Sequence, residues 1–309
     1  MFEIKLRAMR EADWSAVGSL VYSGTNAWYQ NHGRGPIFNC TATDAQLFCK
    51  VYESLDPGCC VVAENAATGQ LAGSCFYHPR PTHVSLGIMN VHPDYFGRGI
   101  GRRLLQFVTD IADQQHKPMR LVSSAMNLDS FSLYNKAGFV PRLAYQDMIM
   151  VVPAHGFSPV LECKEKVLPA TLQDVPRMAA LEMELSHISR ENDLRYFVSN
   201  AQKIWHVSVV EDERGGLDGF LVSVAHPASN MLGPGVARTE TQAAALIAAE
   251  LDHNRGRQPV WLVPSHCLWL VQTMYKWGAV NCELHFAQSR GAWTAPTGIV
   301  MPTFMPETG

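Results

Sequence analysis

The sequence lacks an apolar run long enough to cross a bilayer, which takes about 20 consecutive apolar residues. It also lacks a run of basic residues, and its formal net charge is −3. These two absences argue against a membrane and against nucleic acid as partners. Segment 1–14 carries charges where a signal peptide would have its apolar region, so we expect a cytoplasmic protein.

The cysteines lack the spacing of a metal site. The chain has eight of them, but no C-x-x-C pair, and Cys59 and Cys60 are adjacent, which does not suit zinc. We therefore predict reduced thiols, many of them core residues, and no metal. Among 309 residues, 47% are hydrophobic and 17% charged, which predicts a soluble globular protein with room for two domains.

The most informative stretch is segment 90–105, NVHPDYFGRGIGRRLL. A strand pattern (HVSLGIMNV) leads into a Pro-Asp turn, alternate glycines follow, and a helix pattern then begins. Glycine lets backbone N–H groups face a ligand, and a helix amino terminus adds unpaired donors and a positive dipole end. The segment is therefore a candidate phosphate cradle. Its glycines are Gly97, Gly99 and Gly101, and its arginines are Arg98, Arg102 and Arg103.

Two common phosphate ligands do not fit this spacing. G-x-G-x-G is not G-x-x-x-x-G-K-[ST], which excludes a nucleotide P-loop. It is not G-x-G-x-x-G either, and the segment about 20 residues further on has no acidic residue to hold a ribose, which argues against a dinucleotide. On this segment alone, a glycine-rich connection without a ligand remains an alternative.

A second motif follows in segment 127–139, NLDSFSLYNKAGF, directly after the strand-like MRLVSSA. The pair V-x-P-x-x-x-G-x-G-x-G-x-x-L-L and N-x-x-S-x-x-L-Y-x-K-x-G-F resembles the GNAT (GCN5-related) N-acetyltransferase superfamily. The resemblance implies an α/β (α+β) fold with a mixed, mostly antiparallel twisted sheet flanked by helices, and acetyl-CoA as the acyl donor. Phe96 departs from the family, which usually has Gln or Arg there; backbone N–H groups do most of the binding, so we expect a change in affinity at most.

The resemblance also assigns roles to single residues. The strand before the loop would pair with the pantetheine arm, and the loop amides would hold the pyrophosphate. Tyr134 matches the family tyrosine that protonates the departing thiolate, although it could instead be a packing aromatic. Asn127 would hydrogen-bond the CoA arm. The implied acetyl-CoA contacts are Met89, Asn90, Val91, Phe96, Gly97, Arg98, Gly99, Ile100, Gly101, Arg102, Asn127 and Tyr134.

The general base is not fixed by the sequence. Many relatives carry a glutamate on the strand before the glycine loop, and HVSLGIMNV has none. His83 and His92 flank that strand, and histidine titrates near neutral pH. Proton loss through ordered water is the alternative.

The acceptor side is predicted from position alone. Segment 22–39 breaks the helical pattern that precedes it, and it lies where the family places a variable, substrate-facing element. Trp28, Tyr29 and His32 are therefore candidate acceptor contacts. The alternative is that they pack beneath a loop.

The order of elements restarts after a linker-like segment at 153–161. We therefore predict two tandem GNAT-like domains, a catalytic one at 1–155 and a second at 160–309. In the second, Gly233 and Gly235 flank a proline, which has no N–H to donate.

The second tyrosine motif is also incomplete. Aligning Gly278 with Gly138 places Met274 opposite Tyr134, and Cys267 opposite Asn127. We therefore predict that the second domain is degenerate and has no CoA site of its own.

These patterns predict an acetyl-CoA-dependent N-acetyltransferase with its active site in the N-terminal domain. The acceptor would be a primary amine on a small molecule or a protein amino group, and the protein a monomer or homodimer. The alternative is a non-catalytic sensor that binds acetyl-CoA. Tyr134 and Asn127 favour the enzyme, because a sensor needs no proton donor.

Overall fold

The computed structural model describes residues 3–160, 166–212 and 215–305. The described chain forms two compact units. The predicted domain boundary near residue 155 falls inside the second unit, so the sequence domains and the compact units divide the chain differently. The first unit contains residues 3–79, His83–Leu121 and residues 304–305, and the second contains Arg80–Thr82 and Val122–Thr303.

The first unit is a sheet flanked by helices. Strands β1 to β4 pair antiparallel in chain order, and β5 joins β4 in parallel. Strand β5 begins in this unit and ends in the second. The elements are β1 (Ile4–Ala8), α1 (Trp14–Asn31), α2 (Gln46–Leu55), β2 (Cys60–Asn65), β3 (Leu71–Pro79), β4 (Val84–Val91), α3 (Ile100–Gln114) and β5 (Met119–Ser124).

Helix α3 follows the predicted apolar stripe. Leu104, Leu105, Val108 and Ala112 are buried, and Ile111 is half-buried. One face of α3 therefore closes the core over β2, β3 and β4, and this packing fixes the start of the helix at the end of the glycine loop.

Helix α1 is longer than the sequence predicts. It continues to Asn31, so the predicted break in segment 22–39 is wrong for its first ten residues. A Cβ at Gly24 would lie 2.8 Å from the carbonyl oxygen of Val91, so glycine lets the helix pack directly on the end of β4. That packing outweighs the roughly 1 kcal/mol that glycine costs inside a helix.

The second unit holds the remaining elements. It is again a mixed, mostly antiparallel sheet with helices, as predicted, and one closing strand follows Gly138. Helix α6 was not predicted. The elements are α4 (Leu128–Lys136), β6 (Val140–Ile149), β7 (Lys166–Pro169), α5 (Val175–Ser186), α6 (Glu191–Ser199), β8 (Trp205–Glu211), β9 (Leu217–His226), β10 (Ser229–Ala237), α7 (Glu240–His253), β11 (Val260–Pro264), α8 (Leu268–Lys276), β12 (Val280–Arg290) and β13 (Ile299–Met301).

The closing strands of the two predicted domains are exchanged. Strand β6, from the first half of the sequence, pairs antiparallel with both β11 and β12 of the second half. Strand β12 in turn adjoins the end of β5, where the Ala125 amide donates to the carbonyl of Leu284 at 2.8 Å. Side chains from the second half of the sequence therefore lie beside the carboxyl end of β5.

The described part of the carboxyl-terminal tail packs on the protein. Ile299 and Val300 are buried, and β13 pairs with β10. Trp293 and Phe304, the other predicted anchors, are half-buried. Two residues named from the sequence lie outside the described residues: Cys163 and Arg214, the latter a predicted turn residue. Among the described residues, no helix is long and apolar enough to span a membrane.

A buried glutamate on α7 holds a histidine of β8. Glu250 is fully buried, and its Oε1 lies 2.9 Å from Nδ1 of His206, while Ser223 donates to its Oε2 at 2.5 Å. Burial alone would lower the pKa of His206, but the hydrogen bond and charge of Glu250 outweigh it and raise that pKa. The stacked ring of His253 has its own pKa lowered by burial and by His206.

We expect Glu250→Gln to cost most stability at acidic pH. A histidine whose pKa is raised in the folded state stabilises the fold. This stabilisation is complete at pH values below the pKa in the unfolded state, near 6.5, and it is lost as the pH rises through the pKa in the folded state. The difference in unfolding free energy between wild type and variant, from urea melts, should be larger at about pH 5.5 than at about pH 8.5. Glu191→Gln, an exposed carboxylate on α6, is the control and should show a small difference that does not depend on pH; a pH-independent difference for Glu250→Gln would contradict the assignment.

Candidate functional site

Strand β4 departs from its neighbour halfway along. It pairs with β5 only at Val84 and Ser85, although it continues to Val91. On its other side the register with β3 slips between Leu86 and Met89, so that β4 carries one extra residue there. A bulge redirects backbone N–H and C=O groups and is common beside active sites. The carboxyl half of β4, with Met89, Asn90 and Val91, therefore presents an edge that β5 does not use.

The glycine loop adopts the conformation that its glycines predict. Gly97 has φ 70° and Gly99 has φ 77°, both in the left-handed region, and Gly99 caps the start of α3. A Cβ at either position would meet no atom within 4 Å. The two glycines are therefore required by the backbone conformation, and the space in front of them is open to a ligand.

The first turn of α3 keeps its amide donors available. Gly99 supplies no side-chain cap, and the first backbone bond into this turn runs from the Arg103 amide to the carbonyl of Gly99. Within the described residues, the amides of Ile100, Gly101 and Arg102 have no acceptor. Unpaired amides at a helix start, with its positive dipole end, suit a pyrophosphate.

The arginines of the loop have different tasks. Arg103 donates to the carbonyl of Ile4 at 2.9 Å and links α3 to β1. Its side chain is therefore not available to a phosphate, contrary to the sequence prediction. Arg98 lies over the ring of Tyr95 at 5.8 Å. Arg102 is exposed and remains available for a phosphate. Half-buried Phe96 precedes them.

The two histidines named as candidate bases are differently placed. His83 is completely buried, and its Nε2 lies 3.4 Å from the hydroxyl of Ser85. His92 accepts from the Asp94 amide through Nδ1, and its Nε2 lies 3.3 Å from the side-chain nitrogen of Gln70. Both rings are held within the scaffold around β4, and their catalytic role stays a prediction.

The predicted acceptor residues lie on the last turns of α1, in the same unit as β4. Thr25 donates to Oδ1 of Asn90 at 3.1 Å, which fixes this part of the helix over the end of β4. Trp28 follows Gly24 by one helical turn, and the ring of His32 stacks on it at 4.1 Å, while Tyr29 meets it edge-on at 5.1 Å. The three aromatic side chains therefore form a cluster on the last turns of α1.

Helix α4, in the second unit, carries the tyrosine motif. Oδ1 of Asn127 accepts from the Ser130 amide at 2.9 Å and caps the helix, which leaves Nδ2 to donate to another group. Tyr134 is 8% exposed and meets Phe139 edge-on at 5.9 Å. The motif thus places a buried phenol one and a half turns into a short, capped helix.

Helix α8 corresponds to α4 but lacks counterparts of Asn127 and Tyr134. Cys267 caps α8 with the same backbone conformation that Asn127 has, within 3° in φ and ψ. Gly138 and Gly278 both follow their helices at φ 90°. Met274, opposite Tyr134 in this alignment, is fully buried, so the position has become part of the core.

The second half closes the places that are open in the first. Strand β10 pairs with β11 only at Met231 and Leu232, as β4 does with β5, but β13 of the tail then pairs with β10 from Gly235 to Ala237. Gly233 and Gly235 lie inside β10 rather than in a loop, where the sequence alignment had placed them. The strand edge that is free in β4 is therefore occupied by the chain itself.

The start of α7 is closed as well. Thr239 accepts from the Gln242 amide, and the Gln242 side chain accepts from the Thr239 amide. Arg238 is paired with Glu184 and with Asp218. Donors and charge that could serve a phosphate are thus used by neighbouring side chains.

A polar group that the sequence did not single out lies at the end of β5. Ser124 donates through its hydroxyl to the carboxylate of Glu283, and the same hydroxyl accepts from the amides of Met126 and Asn127. The only sequence signal for Glu283 was its place in a predicted strand, because its partner lies 159 positions away.

The family of the chain follows from two matches. The family model described as "Acetyltransferase (GNAT) domain" matches residues 56–141, and a second model of that description matches residues 178–278. Together they cover more than half of the chain. The chain belongs to the GNAT superfamily. The predicted tandem of two GNAT domains is confirmed.

Solved structures agree on the tandem GNAT fold. The crystal structure of a protein from Pyrococcus horikoshii described as an acetyltransferase matches with a TM-score of 0.75 at 14% identity. The match covers 98% of this chain and 95% of that one. A GCN5-related N-acetyltransferase from Sphaerobacter thermophilus has 0.64 at 18%, covering 94% and 96%. A tandem GNAT protein from the clavulanic acid biosynthesis pathway has 0.62 at 15%, covering 95% and 99%. At these identities the likeness establishes the fold alone.

One relative shares more sequence over a short stretch. The Bacillus subtilis UPF0157 protein YqkA is 39% identical over 71 residues, which is 23% of this GNAT chain and 20% of that protein. The match spans only a fifth of the relative's length.

Proposed function

We propose that this GNAT protein is an acetyl-CoA-dependent N-acetyltransferase with one active site, formed by the first motif pair. The observation that carries the proposal is the contrast between the two halves. The edge of β4 and the first turn of α3 are open and lined with backbone donors, whereas the corresponding edge of β10 is paired with β13 and the start of α7 is capped.

The residues present suit acetyl-CoA. The free carboxyl half of β4, Met89 to Val91, would pair with the amide groups of the pantetheine arm. The amides between Gly97 and Arg102 would bind the pyrophosphate, with the exposed side chain of Arg102 as an added charge. When bound, acetyl-CoA supplies an activated acetyl thioester.

Each remaining step belongs to a side chain or amide of the protein. A backbone N–H near the bulge, at Met89 or beside it, would polarise the thioester carbonyl. Tyr134 would give its phenolic proton to the departing sulfur, and Nδ2 of Asn127 would orient the arm. The aromatic cluster of Trp28, Tyr29 and His32 would contact the acceptor amine.

The decisive test is thiol release from acetyl-CoA across a panel of primary amines, including spermidine, tyramine, glucosamine and lysine-containing peptides. We expect release that depends on an amine and an acetylated amine in equal amount. Tight binding of acetyl-CoA without release by any amine would support the sensor instead.

The contrast between the halves predicts the stoichiometry. Titration calorimetry should give one acetyl-CoA per chain, because β13 and the capped α7 leave the second half without a free strand edge or helix start. Two equivalent sites would contradict the proposal. The variant Arg102→Ala should weaken binding at this single site, while Arg238→Ala, which removes the arginine just before the N-cap of α7, should not.

A further inference from the structure

The glycine loop of the first unit is fixed at both ends by buried residues. At its far end, Leu104 and Leu105 pack the helix α3 into the core. At its near end lies Tyr95, which is 6% exposed and closes the single 3₁₀ turn Pro93–Tyr95. The carbonyl of Tyr95 accepts from the Arg98 amide at 3.3 Å. The position of the loop therefore depends on how Tyr95 is held.

The hydroxyl of Tyr95 is held by the turn that joins β2 to β3. Nδ2 of Asn65 donates to this hydroxyl at 2.9 Å, and the hydroxyl donates to Oε1 of Gln70 at 3.1 Å. Both the proton and an acceptor site of the hydroxyl are thus in use. Because the two partners lie at the two ends of one hairpin turn, they define a single position for the phenol oxygen.

The hairpin turn is a rigid support. The Asn65 amide donates to the carbonyl of Gln70 at 2.9 Å, and the Gly69 amide donates to the carbonyl of Asn65 at 2.8 Å. The side chain of Asn65 is buried, and its Oδ1 accepts from the Ala67 amide at 3.0 Å. Both ends of this side-chain amide are therefore engaged, so it offers Tyr95 a fixed donor.

The ring of Tyr95 in turn supports the segment around the glycines. The guanidinium carbon of Arg98 lies 5.8 Å from the ring centroid, within the range of a cation–π contact. The ring of His92 meets the Tyr95 ring edge-on at 5.9 Å, and Nε2 of His92 lies 3.3 Å from Nε2 of Gln70. The segment from His92 to Arg98 thus converges on one aromatic side chain, whose hydroxyl fixes its place.

The connection from β10 to α7 in the other half has no such support. Strand β10 ends at Ala237 and α7 begins at Glu240, so Arg238 and Thr239 alone separate them. That connection has no room for a turn like the one that Tyr95 closes. The buried phenol therefore accompanies the open helix start and is missing beside the capped one.

We propose that Tyr95 is a positioning residue of the acetyl-CoA site. Its hydroxyl, held between Asn65 and Gln70, fixes the glycine loop in the place where the loop amides would meet the pyrophosphate. This inference rests on the proposed function. Tyr95 acts through the loop and does not touch the reacting atoms.

The test is Tyr95→Phe, which keeps the buried ring with its contacts to Arg98 and His92 and removes the hydroxyl. Titration calorimetry should show acetyl-CoA binding weakened by about 5-fold, the size expected when one hydrogen-bonded anchor is lost. In thiol release, KM for acetyl-CoA should rise by a similar factor while kcat stays unchanged, because the hydroxyl affects binding of the phosphates and not the thioester.

A second donor separates positioning from a structural role. S-Acetylpantetheine carries the same thioester and the same arm but no pyrophosphate. The Tyr95→Phe variant should use it with the kcat/KM of wild type, since a phosphate cradle adds nothing to its binding. An equal loss with both donors would make Tyr95 a structural residue and overturn the proposal.

The matched control is Tyr52→Phe, which removes another buried hydroxyl from the same unit. Tyr52 lies on α2, is 1% exposed and donates to the carbonyl of Phe304 at 3.2 Å. Both variants should lower the melting temperature by similar amounts, but Tyr52→Phe should keep the acetyl-CoA affinity of wild type. Equal weakening of acetyl-CoA binding in the two variants would contradict the proposal.

A double-mutant cycle tests the anchor itself. Gln70→Ala removes the acceptor of the Tyr95 hydroxyl and should weaken acetyl-CoA binding less than Tyr95→Phe does. Adding Gln70→Ala to Tyr95→Phe should change little further, because both substitutions remove the same hydrogen bond. Fully additive effects would mean that the two side chains act independently and that the anchor is not the cause.

The outcomes separate this inference from the proposed function. If wild type transfers acetyl groups and Tyr95→Phe binds acetyl-CoA as tightly, the positioning role is wrong and the acetyltransferase stands. If wild type binds acetyl-CoA more tightly than Tyr95→Phe but transfers to no amine, the acetyltransferase is wrong and the positioning role stands. Absence of acetyl-CoA binding by wild type would overturn both.

Discussion

Tyr134→Phe should lower kcat about 100-fold while leaving acetyl-CoA affinity within about twofold of wild type, since a positioned general acid contributes roughly 10²- to 10⁴-fold. The change removes one oxygen from a ring that is 8% exposed and packed on Phe139, so the helix and its surroundings should stay in place. Thiol release measures the rate, and calorimetry measures the affinity.

The matched control for this prediction is Tyr275→Phe on α8. Tyr275 also donates from its hydroxyl, to Gln146 at 2.6 Å, but it lies on the helix that lacks the motif, and we expect full activity. Unchanged turnover in Tyr134→Phe across every reactive amine would remove Tyr134 as the acid and make it a packing residue.

Gly99→Val should abolish measurable acetyl-CoA binding, a loss of at least about 100-fold in affinity. Two effects add. A β-branched residue resists φ 77°, at a cost of about 1–2 kcal/mol for the left-handed region. Its side chain would also project into the open space before the first turn of α3, where the pyrophosphate is proposed to lie.

A second glycine allows the two effects to be separated. Gly58 has the same φ of 77° and the same open surroundings, in the turn between α2 and β2. Gly58→Val should therefore cost similar stability in a thermal melt but keep acetyl-CoA binding. Equal loss of binding in both variants would mean that backbone strain alone is responsible and that the cradle is elsewhere.

The sequence predicts local structure well where one segment carries its own signal. The alternation of glycines at 97, 99 and 101, the stripe on α3 and the Thr-Glu start of α7 are each set by neighbours within a few residues. The loop conformation, the helix bounds and the cap at Thr239 follow from them. The glycine alternation is also one of the features that carry the family resemblance.

Long-range pairing could not be predicted in the same way. Nothing local in VPRLAYQDMI or VNCELHFAQ indicates which strand will lie beside it, because both segments are simply compatible with a half-buried sheet. The exchange of β6 and β12, the pairing of β13 with β10 and the contact between Ser124 and Glu283 all depend on such choices. The continuation of α1 past residue 22 likewise depends on a contact of Gly24 with a distant strand.

The exchanged strands determine which sheet each half could form if the chain were divided between its two repeats. A polypeptide ending near residue 155 would keep the glycine loop and Tyr134 but would lose β12, the neighbour of β5. Its own β6 would then be free to fold back against β5, as in the closed form of a domain-swapped protein. Such a fragment would retain the first motif pair alone. The second half would thus supply a strand to the sheet of the first, whether or not it binds a ligand of its own.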